Sequence, residues 1–267
     1  MLRAVHDGAS SLKLPYFVAG AIARDILLTH VFGLPTYRAT RDIDFAVAVP
    51  DWAGFETFKG HLLQRAGFEV DRQMLHRLRR QESVVDLIPF GGVESEGKRV
   101  AWPPDLSTIL NVAGHDDALA AAETVQVTEV DALRIPVVSL PGLAMLKLFA
   151  WADRGQENSK DAVDFATLLR QYANAGNQDR LYGDSFDVME AVDHQLPLAG
   201  ARLLGRDTRQ VMSRDTYDAL RRLLDDRVPR ERLVIHMARR DLGDEDVLEE
   251  ADAMLSQFER GLEEETA

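Results

Sequence analysis

The chain has 267 residues, of which 46% are hydrophobic and 28% are charged, and it contains no cysteine. This composition excludes a chain that is disordered throughout, and the lack of cysteine excludes disulfides, thiolate zinc sites and a cysteine nucleophile. The formal net charge of −13 argues against a broad nucleic-acid surface, which needs lysine and arginine to displace counterions.

The first third of the chain alternates strand and helix patterns, which is typical of an α/β fold. In chain order, the sequence predicts a strand over residues 16–19, a helix over 21–31, a strand over 42–49, a helix over 52–66, and two strands over 70–81 and 83–90. Arg24 and Asp25 interrupt the longest apolar stretch near the N-terminus, so no membrane span is predicted. With no signal-peptide pattern in the first fifteen residues, these features predict a cytoplasmic protein without membrane association.

The second half of the chain changes from strand patterns to helix patterns at Pro141. The predicted elements are strands over residues 125–130 and 133–140, and helices over 143–151, 160–172, 185–194, 199–213 and 215–225. We therefore predict a mixed-sheet core domain with flanking helices over residues 1–140, followed by a mainly helical C-terminal domain over residues 141–267.

The C-terminal segment is strongly acidic. Residues 241–267 contain eleven acidic residues and one basic residue, while apolar residues recur at helical spacing from Val247 to Leu262. The pattern predicts an amphipathic helix that packs on the rest of the protein. Its acidic face is interpreted either as a solvated surface or as an electrostatic site for a partner.

Two aspartates open the strand over residues 42–49. Side chains on a strand alternate between its faces, so Asp42 and Asp44 project from one face, and Phe45 projects from the other. Paired carboxylates are typical of Mg²⁺ sites in which phosphate oxygens complete the octahedron. The alternative is that both aspartates are surface residues paired with Arg38 or Arg41.

A third carboxylate, Asp86, is the single charge in the apolar strand pattern over residues 83–90. Such a group is costly to bury unless it is paired or metal-bound. If this strand lies beside the strand of Asp42 and Asp44, three carboxylates converge at one end of the sheet.

Gly20 stands where the first strand turns into a helix. A glycine at such a turn lets backbone N–H groups approach a phosphate, and the positive end of the helix dipole favours its charge.

These features together resemble a known family. The segment Phe-Val-Ala-Gly-Ala-Ile-Ala at residues 17–23, followed by Arg38-x-Thr40-x-Asp42-Ile43-Asp44-Phe45, is similar to the DNA polymerase β nucleotidyltransferase superfamily. The similarity is greatest to the AbiEii-like group, which includes toxins of type IV toxin–antitoxin systems and the MenT toxins, and it spans residues 15–175. It implies a nucleotidyltransferase that uses Mg²⁺ at the three carboxylates, a nucleoside triphosphate as substrate and a cognate antitoxin as partner.

A second block of sequence supports the resemblance. Leu143–Arg154, followed by Lys160-Asp161, is similar to the lysine-bearing helix of the family and the Lys-Asp helix after it. The resemblance implies that Lys147 contacts nucleotide phosphate and that Lys160 and Asp161 line the site, so that the helical domain contributes lysines to it. The alternative for Lys147 is a lysine that extends from a buried helix to solvent.

The phosphate-binding turn departs from the family pattern. The family has Gly-Gly or Gly-Ser where this chain has Gly20-Ala21, so a hydroxyl contact is lost while backbone contacts remain available. Arg24 either reaches phosphate or pairs with an acid. Arg38 and Thr40 are implied to shape the loop before the aspartates and to contact phosphate, although Thr40 has the alternative of bonding to backbone.

The acceptor is indicated only by the densest basic segment, in which Arg77, Arg79 and Arg80 precede the strand of Asp86. This segment is interpreted either as a basic rim for the backbone of transfer RNA or as a solvated edge strand. The resulting hypothesis is a toxin-like, Mg²⁺-dependent nucleotidyltransferase acting on transfer RNA, in which Asp86 activates the acceptor hydroxyl. The alternatives are an antibiotic-type nucleotidyltransferase with a small-molecule acceptor, and a non-catalytic antitoxin or nucleotide-binding protein.

Overall fold

A computed structural model describes residues 1–35, 42–72, 74–127, 132–239 and 246–264. Arg38 and Thr40 lie outside these residues. The chain divides into two compact units, the first made of Met1–Ile26 and Tyr37–Ser139, the second of Leu27–Thr36 and Leu140–Ala267. The predicted boundary after residue 140 assigns residues 27–36 to the core domain, whereas in the structure they belong to the second unit.

The first unit is a mixed α/β structure. Its strands are β1 (Tyr16–Ala19), β2 (Asp42–Val49), β3 (Glu69–Val70), β4 (Arg77–Arg80), β5 (Ser83–Gly91), β6 (Arg99–Ala101), β7 (Ile109–Asn111), β8 (Glu123–Gln126) and β9 (Arg134–Val137). Its helices are α1 (Leu2–Ser11), α2 (Gly20–Asp25), α3 (Trp52–Arg65) and α4 (His115–Ala120). The helix of α2 continues as a π-helical segment over Ile26–Val31.

Seven strands form one sheet in the order β3-β4-β5-β2-β1-β9-β8, and β6 pairs with β7 in a separate hairpin. The strands β2 and β5 run parallel at its centre, while β1 pairs with β2 and β4 pairs with β5 in antiparallel fashion. Central parallel strands are buried on both faces, which is why both strands are rich in apolar residues. A charged side chain in this part of the sheet therefore requires a specific partner.

The helix after β2 begins as the sequence predicts. Asp51 is extended, and its carboxylate accepts a hydrogen bond from the backbone N–H of Gly54 at 2.7 Å, which caps the first turn of α3. Phe55, Phe58 and Leu62 form the buried stripe of α3. The helix ends before Gly67, whose φ of +67° lies in the left-handed region that favours glycine.

The second unit is helical. Its helices are α5 (Leu140–Arg154), α6 (Lys160–Gln171), α7 (Gln178–Tyr182), α8 (Phe186–Glu190), α9 (Leu196–Val211), α10 (Arg214–Asp225), α11 (Arg227–Ala238) and α12 (Asp246–Glu263). A π-helical segment over Ala173–Asn177 connects α6 and α7. The fold-class prediction of a mixed-sheet core with flanking helices and a helical C-terminal part is confirmed. None of the helices within the described ranges is long and apolar enough to cross a membrane.

Three predicted elements need correction. The segment 70–81 is not one strand, because a turn separates the two-residue β3 from β4. The sequence predicts no strand between residues 90 and 125, whereas the structure has the hairpin of β6 and β7 there. The basic segment is not an edge strand, since β4 lies between β3 and β5.

The acidic face of α12 is not simply solvated. Its carboxylates, together with that of Glu264 directly after the end of α12, pair with arginines of four other helices of the second unit. These ion pairs join Arg170 to Glu250, Arg202 and Arg206 to Glu264, Arg221 to Glu263, and Arg230 to Asp252 and Glu259. The helix is therefore docked by apolar contacts on one face and by ion pairs at the rim.

Candidate active site

The first cluster of functional side chains lies on β2 and β5. The two strands are paired in parallel with Asp44 opposite Asp86, and Asp42 precedes on the same face. Phe45 and Val47, on the other face of β2, are fully buried. The expectation that the strand of Asp86 lies beside the strand of the two aspartates is therefore confirmed, while the role of the three as metal ligands stays a prediction.

Arg77 completes this row of side chains across three strands. It lies opposite Asp86 in the antiparallel pair of β4 and β5. Its Nε donates to Asp86 Oδ1 at 2.7 Å, and its Nη2 donates to Asp86 Oδ2 at 2.7 Å and to Asp42 Oδ2 at 3.4 Å. The bond to Asp86 raises the pKa of Arg77, so the guanidinium remains charged.

The sequence contains a signal for this pairing, which the interpretations of the basic segment given above do not include. A lone acid in an apolar strand requires a partner, and the tight connection of β4 to β5 sets the register from Arg80 opposite Ser83 to Arg77 opposite Asp86. The predicted alternatives for the basic segment are an RNA rim and a solvated edge strand. The turn geometry instead assigns Arg77 to the carboxylates.

The strand-to-helix turn stands directly beside the carboxylates. Ala19, the last residue of β1, is paired with Asp44, and Gly20 follows with a φ of +68°. A β-carbon placed on Gly20 would overlap Asp44 Oδ2. Only glycine therefore lets the backbone of the turn approach the second aspartate this closely.

Apolar packing fixes the position of this face of the sheet. Phe17 and Phe90 lie on the face of the aspartates, with ring centroids 6.1 Å apart, and the ring of His115 of α4 packs against both at a tilt. Burial lowers the pKa of His115, which favours the neutral imidazole. We interpret His115 as a packing residue beneath the sheet.

The lysine of the second block belongs to a buried ion network in the second unit. Lys147 Nζ donates to Asp161 Oδ1 at 2.9 Å and to Asp164 Oδ2 at 2.6 Å, and Arg154 Nε donates to Asp161 Oδ2 at 2.7 Å. The alternative of a lysine that extends to solvent is wrong, because the Lys147 side chain is 8% exposed.

In this network, the effect of the ion pairs on the pKa values outweighs the effect of burial. Burial alone would lower the pKa of Lys147, but the two carboxylates outweigh it and raise that pKa. Burial would raise the pKa of Asp161, but Lys147 and Arg154 outweigh it and lower that pKa to about 2. Lys147 and Asp161 are therefore both ionised at neutral pH.

Three other predicted site residues have defined surroundings. Arg24 is buried, and its Nε and Nη2 donate to Asp25 Oδ1 at 2.9 and 2.6 Å, so the predicted alternative of pairing with an acid is present. Lys160 is exposed at the start of α6. Ala21 is buried one residue inside α2.

The remaining arginines of β4 are in different environments. Arg79 shares the face of Arg77 and donates to Asp71 at 2.6 Å, yet its side chain stays 54% exposed. Arg80 stacks over the ring of Phe68 at 5.8 Å. Of the three arginines, Arg79 is therefore the one that combines exposure with the face of the aspartates.

The donor chemistry of the first cluster suits Mg²⁺. No group of three or more histidine, cysteine or carboxylate side chains is arranged to hold a metal within the part of the chain that the structure describes. Mg²⁺ needs fewer protein ligands, because one or two carboxylates suffice when substrate phosphates and water complete the octahedron. Asp42 and Asp44 supply two such carboxylates on one face of β2.

Comparison with protein families gives one match over most of the chain. The family model described as "Nucleotidyl transferase AbiEii toxin, Type IV TA system" matches residues 10–264. None of the curated proteins compared matches the sequence.

A solved structure also aligns with the chain. Its title is "Solution Structure of Antibiotic-Resistance Factor ANT(2'')-Ia Reveals Substrate-Regulated Conformation Dynamics". The alignment has a TM-score of 0.39 and 12% sequence identity, and it covers 72% of this chain and 95% of that one.

Proposed function

Because the chain belongs to the AbiEii nucleotidyltransferase toxin family of type IV toxin–antitoxin systems, we propose that it moves a nucleoside monophosphate from a nucleoside triphosphate to an acceptor hydroxyl with the help of Mg²⁺. The observation that carries the proposal is the in-register placement of Asp44 and Asp86 on neighbouring parallel strands, with Asp42 on the same face and Gly20 against Asp44. This arrangement supports the proposal, because the carboxylates lie beside a strand-to-helix turn, a type of turn that can bind phosphate through its backbone.

Asp42 and Asp44 are the proposed ligands of the metal, and Asp86 is the proposed third carboxylate. When bound, Mg²⁺ would neutralise phosphate charge and polarise the phosphorus centre. Through that ion, the two β2 carboxylates would hold the triphosphate near the turn at Gly20, whose backbone N–H groups are the proposed donors to phosphate.

Asp86 has the proposed role of the base. The acceptor hydroxyl gives its proton to the Asp86 carboxylate, its oxygen forms a bond to the α-phosphorus, and the bond to pyrophosphate breaks. Charge balances because the departing pyrophosphate takes the electron pair of the broken bond.

Phosphate contacts by other residues stay predictions. Gly20 and Ala21 would contribute backbone N–H groups, and Arg24, Arg38 and Thr40 are further candidates on the same segment. In the second unit, the proposed contacts are those of Lys147, Lys160 and Asp161. Lys160 is the most direct candidate among these, because its side chain is exposed while Lys147 is occupied by two carboxylates.

Transfer RNA is the proposed acceptor, and a cognate antitoxin is the proposed partner. Support for an RNA acceptor comes from Arg79, which is half exposed on the face of the aspartates, and from the exposed Arg72 before β4. Support for an antitoxin comes from the family, whose description places its members in type IV toxin–antitoxin systems.

The test supplies purified protein with Mg²⁺, each of the four α-labelled nucleoside triphosphates in turn, and total RNA. We expect label in an RNA of transfer-RNA size with one nucleotide, and at least a 100-fold loss with Asp42→Ala/Asp44→Ala, since several kcal/mol of transition-state stabilisation are removed. The matched control is Glu123→Gln, an exposed carboxylate on the opposite edge strand β8. Circular dichroism checks that both variants fold.

Other outcomes separate the alternatives. Label in a small molecule, and not in RNA, would favour an antibiotic-type acceptor. Transfer that is unaffected by the double substitution would overturn the assignment of the site. No transfer with any nucleotide, together with nucleotide binding that survives the substitution, would favour a non-catalytic protein.

A further inference from the structure

Arg77 is placed where a cation would bind the carboxylates. Its guanidinium donates to both oxygens of Asp86 at 2.7 Å and also reaches Asp42 at 3.4 Å. It therefore contacts two of the three proposed carboxylates from one side of the row.

Burial makes this ion pair stronger than an ordinary surface pair. The side chains of Arg77 and Asp86 are 20% and 11% exposed, whereas that of Asp42 is 47% exposed. Bidentate arginine–carboxylate pairs are the strongest of their class, and reduced exposure weakens their screening by water and salt. Asp86 is thus held firmly, while Asp42 stays accessible.

A divalent cation and the guanidinium compete for the same carboxylate charge. If Asp86 coordinates the metal while bound to Arg77, two positive groups share one carboxylate in a partly buried place, where like charges repel strongly. Arg77 also reduces the formal charge of the site from −3 to −2, because its one positive charge faces three carboxylates. Both effects weaken metal binding.

We propose that Arg77 is an internal counter-cation that holds Asp86 in the nucleotide-free protein and is displaced from it when a divalent cation binds, so that Arg77 sets the metal affinity of the site. This inference rests on the proposed function, because it takes Asp42 and Asp44 as the metal ligands. It makes Arg77 a positioning residue for Asp86: the carboxylate becomes available as a base or ligand only once the metal has displaced the guanidinium.

The first experiment titrates Mg²⁺ alone into the nucleotide-free protein and follows the arginine side-chain Nε–H signals by NMR. The Arg77 Nε–H, which is bonded to Asp86, is expected to shift or exchange more rapidly along a saturable curve. Arg79 lies on the same face of β4 as Arg77, and its Nε–H is bonded to Asp71. Its signal is expected to stay unchanged. An Arg77 signal that does not move at saturating Mg²⁺ would overturn the inference.

The second experiment measures Mg²⁺ affinity by calorimetry on variants. Arg77→Gln is expected to bind Mg²⁺ at least 10-fold more tightly than the unmodified protein, and Arg77→Lys, which keeps the charge but loses the bidentate geometry, is expected to fall between them. The matched control Arg79→Gln is expected to stay within 2-fold. Equal affinity of Arg77→Gln and the unmodified protein would contradict the proposal, and if that variant does not fold, the NMR titration decides alone.

A third variant separates this inference from the proposed function. If Asp42→Asn/Asp44→Asn binds Mg²⁺ as tightly as the unmodified protein, the metal site itself is wrongly assigned. If that variant loses Mg²⁺ binding while Arg77 does not respond to Mg²⁺, the site stands and only the role of Arg77 fails.

Discussion

Gly20 lies so close to the carboxylate of Asp44 that no β-carbon fits between them. A β-carbon on Gly20 would overlap Asp44 Oδ2, and the φ of Gly20 is +68°, a conformation that other residues adopt only with strain. The conformation of the turn after β1 and the position of Asp44 on β2 therefore depend on each other.

Replacing Gly20 should damage both stability and transfer. We expect Gly20→Ala to destabilise the protein by about 2–4 kcal/mol, because about 1 kcal/mol of left-handed strain adds to a steric overlap. Transfer should fall at least 10-fold even where the variant is folded, since Asp44 has to move. Urea unfolding and the labelled-nucleotide assay measure the two effects.

The control for this change is Gly67→Ala. Gly67 has nearly the same φ, +67°, but an added β-carbon there meets nothing within 4 Å. We expect only the conformational penalty of about 1 kcal/mol and full transfer activity. Equal losses in the two variants would show that the overlap with Asp44 has no effect of its own.

Local features of the site could be predicted from the sequence, because they depend on near neighbours. The alternation of β2 places Asp42 and Asp44 on one face in any strand, and Asp51 caps the following helix through a bond three residues away. The apolar run around Asp86 likewise predicts a strand. These interpretations required no knowledge of the rest of the fold.

Contacts that depend on strand register or on distant helices could not be predicted in the same way. The pairing of Arg77 with Asp86 follows from a hairpin register, and the contacts of Lys147 require α5 and α6 to pack side by side. The acidic residues of α12 pair with arginines that are up to 80 residues away in the sequence. Charge patterns indicate that such residues need partners, but they do not identify the partners.

The buried ion network of the second unit should make stability depend on acid pH. The pKa of Asp161 is lowered to about 2, so its ionised form stabilises the folded state fully above pH 4. That contribution, on the order of 2 kcal/mol, is lost as pH falls from about 4 towards 2. Asp161→Asn should therefore be less stable at pH 7 and show a shallower loss of stability over this interval.

Urea unfolding at a series of pH values measures this difference. Asp153→Asn, which changes an exposed carboxyl of the neighbouring α5, serves as the control and should follow the unmodified protein within about 0.5 kcal/mol. If the free energies of unfolding of Asp161→Asn and the unmodified protein fall in parallel below pH 4, the network does not cause the loss of stability in acid.

The close approach of α9 and α12 depends on glycine. A β-carbon on Gly205 would overlap the backbone oxygen of Phe258, and one on Gly261 would overlap that of Arg202. Both contacts are with helix backbone, which cannot move as a flexible side chain can. Gly205→Ala should therefore destabilise the protein by about 2–3 kcal/mol. Gly60→Ala in α3, where nothing lies within 4 Å, should instead stabilise by about 0.5–1 kcal/mol.

Thermal and urea unfolding of the two variants check the sign of each change. A neutral Gly205→Ala would mean that α9 and α12 separate without penalty, and the docking of α12 would then rest on its ion pairs instead of its backbone contact.

Among those ion pairs, Arg230 should contribute most. Its guanidinium donates to Glu259 at 2.9 and 3.1 Å, to Asp252 at 2.6 Å and to Ser256 at 2.9 Å, and its side chain is 24% exposed. Burial raises the pKa of Glu259 even with Arg230 beside it, so removing the arginine leaves a poorly solvated carboxylate without this partner.

We expect Arg230→Ala to destabilise the protein by about 1–3 kcal/mol at pH 7. Arg227→Ala removes an arginine of the same helix that is 87% exposed and pairs with Glu231 one turn away, so it should change stability by less than about 0.5 kcal/mol. Urea unfolding at low and high salt measures both, and the Arg230 effect should persist at high salt because the group is partly shielded from ions. If salt abolishes the difference between the two variants, the contacts of Arg230 behave as surface pairs, and apolar packing alone holds α12.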